Sequence, residues 1–394
     1  MELRARIDSP SLPRPFEVWY RLPPGAAPSA REERGDPFFA LCLPLAMRLG
    51  ETLEIERPLS PPLLDALPDI SDIYMKFDAR LKRGVVEAPA GEPKGASREP
   101  LARGTGVFFS LGVDSFYTLL KRNGPRSNPE GRVSDLLTVR GFDIPLDSSR
   151  DSLWRNVANN VETVARDFNL RAILAETNVR DLSDPIVPWG LYHGAAMAAL
   201  ALALQGTLGK VYVPSSASYA RLHPWGTSPL LDPLWSTAEV EVVHDGCEAN
   251  RLQKVAAIKD SALALGLLRV CFLSGDSAYN CGRCEKCVRT LICLLAAGAL
   301  GHCKTLPSQL DLARVGTLVE PDLTTVARYE ELLGFLGTSP RESEVREVLE
   351  RSLAMAYARL ARTTFRRTRA GSRLDRVLTP LWRTLKRFGN LFRW

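Results

Sequence analysis

The chain has 394 residues, 45% of them hydrophobic and 24% charged, with a formal net charge of +6. That length exceeds what one core usually organises and points to two or three compact units, while the balance is that of a soluble globular protein rather than a disordered one. The opening MELRARIDSP has no apolar h-region, and the longest apolar stretch, 191–204, is shorter than a membrane span, so the expectation is a cytoplasmic protein with neither signal peptide nor transmembrane segment.

The charge is unevenly spread. From Arg359 onward there are ten arginines, one lysine and a single acid, Asp375, so the basic excess belongs to the tail. Residues 1–87 mix short β-like runs (16–22, 52–56, 84–87) with prolines and read as a small α+β extension. A Pro/Gly/charge-rich stretch over 88–104, APAGEPKGASREPLARG, reads as a linker. From 105 to 304 strands alternate with helices: strands at 107–110, 136–139, 172–176, 210–214 and 240–244, and helices at 116–122, 153–168, 191–205 and 248–265. Short apolar strands alternating with helices predict an α/β fold with a parallel, five-stranded, doubly wound sheet. Ligands of such sheets bind at the carboxyl ends of the strands, so the loops after the first, second and fourth of these strands are the places to look. From about 305 to 394 the pattern is helical, with Ser339-Pro340-Arg341-Glu342 forming an N-cap, an N1 proline and a capping-box glutamate.

The stretch FFSLGVDSFYTLLKRNG (108–124) passes from an apolar strand into a helix through Ser110-Leu111-Gly112-Val113-Asp114-Ser115. Unpaired amides and the dipole at a helix start make an anion site, and Gly112 allows close approach. Ser110 and Ser115 add hydroxyl donors, and Asp114 either anchors Mg²⁺ and the loop or caps a helix starting at Ser115. The pattern S-x-G-x-D-S resembles the PP-loop of the ATP pyrophosphatases (adenine nucleotide alpha-hydrolase-like, or HUP-like, folds). The resemblance implies ATP cleavage to AMP and pyrophosphate, with Ser110, Leu111, Gly112, Val113, Asp114 and Ser115 cradling ATP with Mg²⁺, and with Asp114 and Ser115 catalytic. The family usually carries S-G-G-x-D-S, and Leu111 departs from it.

Four of the eight cysteines, Cys271, Cys281, Cys284 and Cys287, form a C-x9-C-x2-C-x2-C array. Two consecutive C-x2-C steps let three thiolates converge from a turn that Gly282 permits, and Cys271 reaches in from a preceding strand end. Four thiolates complete a closed tetrahedral site, expected to hold structural zinc, with Arg283, Lys286 and Arg289 placed to offset its charge. An iron–sulfur cluster or plain buried thiols are the alternatives. The loop and this array together resemble the 7-cyano-7-deazaguanine synthase family over roughly 105–300. That resemblance implies adenylation of a carboxylate or amide followed by attack of a nitrogen nucleophile. A broader set of bacterial PP-loop proteins with an N-terminal extension is also similar.

Other residues fill in the reading. Asp143, in RGFDIPLD after the second strand, could bind ribose or a substrate cation, or simply form a turn before Pro145. VPSSASYARLHPWG after the fourth strand offers Ser215, Ser216, Tyr219, Arg221 and His223 as substrate contacts. His244 and Asp245 end a strand and suit acid–base chemistry or a structural role, whereas His193 reads as packed in its helix. Leu374, Val377, Leu378, Leu381, Trp382, Leu385 and Phe388 lie near helical spacing among Arg373, Arg376, Arg383, Lys386 and Arg387. Such a segment suits an acidic partner protein, RNA or a membrane surface, or packs on its own domain. The expectation is an ATP-dependent ligase that could pair as a homodimer. Its rivals are a sulfur transferase using Cys247, acting on tRNA or a small molecule, and a non-catalytic nucleotide-binding scaffold.

Overall fold

The computed structural model describes residues 2–26, 34–89, 103–272 and 279–367, with side chains as far as 361. Most of the linker at 88–104 and the tail from 368 onward lie outside them. Two compact units form: Met1–Ile258 with Leu267–Tyr279, and Lys259–Gly266 with Asn280–Trp394.

The first unit is built on strands β1 (Glu2–Ile7), β2 (Phe16–Arg21), β3 (Thr52–Glu54), β4 (Val85–Glu87), β5 (Gly104–Phe108), β6 (Asp135–Arg140), β7 (Arg171–Thr177), β8 (Leu208–Pro214) and β9 (Glu241–Asp245). Its main sheet has seven strands in the order β1-β2-β7-β6-β5-β8-β9, not the five expected. Five of them, β7-β6-β5-β8-β9, run parallel, as the alternation of strands and helices predicted. The extra two come from the N-terminal residues: β1 pairs with β2, and β2 lies antiparallel against the edge strand β7. The remaining pair, β3 and β4, is a separate parallel two-stranded sheet.

Burial explains the arrangement. β6 (DLLTVR) is buried at every position but its last, as a strand covered on both faces must be. The Ala-rich helix Trp189–Ala203 is buried along almost its whole length, matching its reading as an interior helix. It packs against the helix Asp36–Leu49, where Tyr192 Oη donates to the Leu41 carbonyl at 2.8 Å. Tyr20 on β2 reaches the same helix, donating to the Ala196 carbonyl at 3.0 Å. The expected small N-terminal extension therefore shares the hydrophobic core of the α/β sheet.

Two local readings change. The helix expected over 248–265 is two, Arg251–Ile258 and Ala262–Leu267, because the Ser261 hydroxyl accepts the Ala264 amide at 3.1 Å and starts a new one. Cys271, expected at the end of a strand, lies in a stretch, 268–271, with no regular structure. In the second unit the helix beginning at Pro340 opens as read: Ser339 and Glu342 exchange side-chain and backbone hydrogen bonds.

Candidate functional site

β5 is the first parallel strand and sits centrally, with the next connection leading to β6 on one side and a later one to β8 on the other. Its carboxyl end is therefore the topological switch point, where open α/β sheets bind ligands. Ser110–Gly112 form the turn there, and the helix Val113–Asn123 follows with Gly112 as its N-cap. Its first intrahelical bond runs from the Phe116 amide to the Gly112 carbonyl at 3.0 Å, so the opening turn's amides stand outside the ladder. Asp114 is thus inside the helix rather than its cap.

Leu111 adopts the left-handed conformation, with φ of 61°, and its side chain is fully buried. This is where glycine would fit most easily. A left-handed L-residue costs about 1–2 kcal/mol, and burial of the leucine side chain offsets it. The Leu111 carbonyl accepts the Arg269 amide at 2.8 Å, fixing the turn. Leu111→Gly is therefore expected to keep the loop's shape but lower the melting midpoint by several degrees. Truncating a buried leucine costs about 2–5 kcal/mol, more than relief of strain returns. A melting midpoint above wild type would show that strain dominates.

The carboxylate of Asp114 faces two cations. Arg251 Nη1 lies 2.8 Å from Oδ2, and Lys254 Nζ lies 3.4 Å from Oδ1. Both oxygens thus face cations, as the loop-holding alternative read for Asp114 expects. Lys254 is almost fully buried and also donates to the Ser215 carbonyl. Ser115 turns to its own backbone, its hydroxyl donating to the Gly112 carbonyl at 3.0 Å, while Ser110 is exposed on the turn. Arg269 is buried next to the turn it bonds through its backbone, and among the described residues its Nε and Nη2 have no hydrogen-bond partner.

The other predicted residues divide. Asp143 is exposed in the turn after β6 that Gly141 makes with φ of 98°. Ser216, Tyr219 and Arg221 are exposed on the loop after β8. Ser215 is not: it is buried, with its hydroxyl donating to the Ala217 carbonyl at 2.7 Å and lying 3.2 Å from the Cys247 sulfur. Asp245 anchors the loop's helix, accepting from Thr118 at 2.9 Å and pairing with Lys121 and Arg122. His193 is packed, its Nδ1 3.0 Å from the Trp189 carbonyl, as its helix position suggested.

Sequence reasoning missed Asp232, whose Oδ2 meets His244 Nδ1 at 2.7 Å with both side chains buried. Burial alone would keep the imidazole neutral, but hydrogen bonds to Asp232 and Cys247 raise His244 to about 9. Burial raises the Asp232 carboxyl in turn, with His244 opposing it. It also missed a run of rings joining the loops after β6 and β8: Phe142 to Trp189 at 5.3 Å, Trp189 to His193 at 6.1 Å and His193 to Trp225 at 5.2 Å.

The sulfurs of Cys271, Cys281, Cys284 and Cys287 lie within 4.8 Å of one another, a set able to hold a metal ion. Gly282 makes the turn with φ of 71°, and the Cys284 amide donates to the Cys281 sulfur at 3.3 Å. Cys284 caps the helix Glu285–Ala296, which places Cys287 one turn further on. Arg289, expected to face the cluster's charge, pairs with Glu285 at 3.2 Å. Among the described residues no helix is long and apolar enough to cross a membrane. No protein-family model, curated protein or solved structure matches the chain.

Proposed function

We propose that the chain is an ATP-dependent ligase of the PP-loop type: it binds ATP at Ser110–Ser115, activates a carboxylate or amide as its adenylate, and passes it to a nitrogen nucleophile. The observation that carries this reading is the turn at the switch point of the parallel sheet, held left-handed at residue 111, tied down by the Arg269 backbone amide and flanked through Asp114 by Arg251 and Lys254. A guanidinium and an ammonium group at the start of a helix that follows a strand suit a polyphosphate. The buried nitrogens of Arg269 that have no hydrogen-bond partner among the described residues favour an anionic ligand, because such groups normally find partners. The S-x-G-x-D-S pattern favours cleavage to AMP over transfer of the terminal phosphoryl group. Binding geometry and charge would supply most of the catalysis, since AMP is a good leaving group.

Zinc is the metal that fits the four thiolates, and a site closed by four protein ligands leaves no position for substrate, so its role is structural. Mg²⁺ would arrive with the ATP phosphates rather than on Asp114. The tail's role toward an acidic protein or RNA remains part of the proposal. The test is to incubate the purified protein with ATP, Mg²⁺ and a panel of carboxylic acids, scoring AMP, ADP, pyrophosphate and phosphate. AMP with pyrophosphate, together with acid-dependent pyrophosphate exchange into ATP, is expected. ADP as the only product, or no ATP binding at all, would overturn the reading.

A further inference from the structure

Outside the nucleotide loop, one cluster brings a nucleophile, a base and an acid into line. Cys247 follows β9 and Ser215 follows β8, so both stand at the carboxyl edge that carries the loop. The Ser215 hydroxyl is 3.2 Å from the Cys247 sulfur, and His244 is within hydrogen-bonding reach of the same sulfur. With Nδ1 of His244 held by Asp232 at 2.7 Å, Nε2 is the ring nitrogen left for the thiol. The cluster connects to the loop through Ser215: its carbonyl accepts from Lys254, whose Nζ also faces Asp114 at 3.4 Å.

We propose that Cys247 is an acyl-accepting nucleophile, with His244 as its proton partner and Asp232 as the positioning residue for the imidazole, so that an activated acyl group passes through a thioester at this edge. The donor in this step, the acyl adenylate, rests on the proposed function. The sulfur electron pair forms the C–S bond, and the C–O bond to the AMP phosphate breaks with its pair leaving on AMP. The thiol proton resides on His244. Attack by a nitrogen nucleophile then forms C–N and breaks C–S, returning the thiolate beside the imidazolium, and the extra proton on nitrogen passes to water.

The surroundings favour a thiolate here. Burial works against it, but hydrogen bonds from His244 and Ser215 and the charges of His244 and Lys254 outweigh burial and hold the Cys247 thiol below its ordinary value. Cys42 is the internal contrast: with burial and no such partners its thiol is pushed up to about 12. Cys247 is only 2% exposed, and the loop after β8 covers it, the Tyr219 amide donating to the Cys247 carbonyl at 2.8 Å. A thioester formed there would be shielded from hydrolysis.

The experiment uses p-nitrophenyl acetate, an acyl donor that needs no ATP, on the full-length protein as purified. A burst of p-nitrophenolate approaching one equivalent is expected, with the acetyl group mapped to Cys247 by peptide mass spectrometry. Cys247→Ser should abolish the burst. His244→Gln and Asp232→Asn should slow it by about 10²-fold or more, and should shift its pH profile toward that of an ordinary thiol. Melting curves establish that each variant is folded. Acetylation spread over other residues, no burst from folded wild type, or a His244→Gln profile identical to wild type overturns the proposal. A burst without any AMP formation would instead leave Cys247 standing and remove the adenylation reading.

Discussion

Asp114→Asn should lower AMP formation by about 10²–10³-fold while leaving the protein folded. The size is that of removing one preorganised electrostatic group from a reaction that develops charge on phosphate. The carboxylate faces Arg251 and Lys254 at once. Asparagine keeps the shape but removes the charge that holds both. Lys254, with a side chain only 2% exposed, then keeps the Ser215 carbonyl as a hydrogen-bond acceptor. The loop thus loses the carboxylate that positions both cations. Asp114→Ala is the poorer test, because it also removes the oxygens that accept from Arg251 and Lys254 and so confuses activity with stability. Lys254→Met should mimic the activity loss at smaller cost, since it removes the buried charge itself. Rates of AMP release, read beside melting curves, decide the matter. An asparagine variant as fast as wild type would show that Asp114 has no part in ATP chemistry.

Removing the metal should have the largest effect on folding. The four sulfurs lie within 4.8 Å of one another. Held that close as thiolates without a cation, they would repel strongly. Metal-binding energy at such sites is folding energy, of the order of 10–16 kcal/mol for zinc in small peptides at neutral pH. One equivalent of zinc per chain is therefore expected from elemental analysis. Cys281→Ser, or prolonged chelation, should abolish or broaden the cooperative melting transition of the segment that carries helix Glu285–Ala296 rather than give a clean kinetic defect. Cys303, a buried cysteine outside the cluster, is the control: its serine variant should retain the metal. Protein that contains neither zinc nor iron and melts normally would rule the site out, while visible absorption with bound iron would replace zinc by a cluster.

The parts that could be read along the chain are those whose cause is local. The alternation of short apolar strands with helices gives the five parallel strands, because a strand covered on both faces must be apolar throughout. The C-x2-C spacing brings Cys281, Cys284 and Cys287 of the metal set together, because residues three apart in a turn and on a helix converge locally. Ser339 and Glu342 make a cap for the same reason.

What the sequence determined by itself was therefore the class of sheet, the turn at 110–115 and the four cysteines. Tertiary structure alone decided the rest. β1 and β2 join the sheet because the edge of β7, more than 150 residues later, offers unpaired backbone groups that an antiparallel pair can cover. Asp114 holds Arg251 and Lys254 across 137 and 140 residues, which only the crossover from β5 to the helix after β9 brings together. His244 takes Asp232 rather than its neighbour Asp245 because successive residues of a strand point to opposite faces. Asp245 is thereby turned toward Thr118 and Arg122 and left to anchor the helix of the loop. Leu111 is the position where the two levels meet: its neighbours define the turn, but its left-handed backbone is tolerated only because the folded core buries its side chain completely.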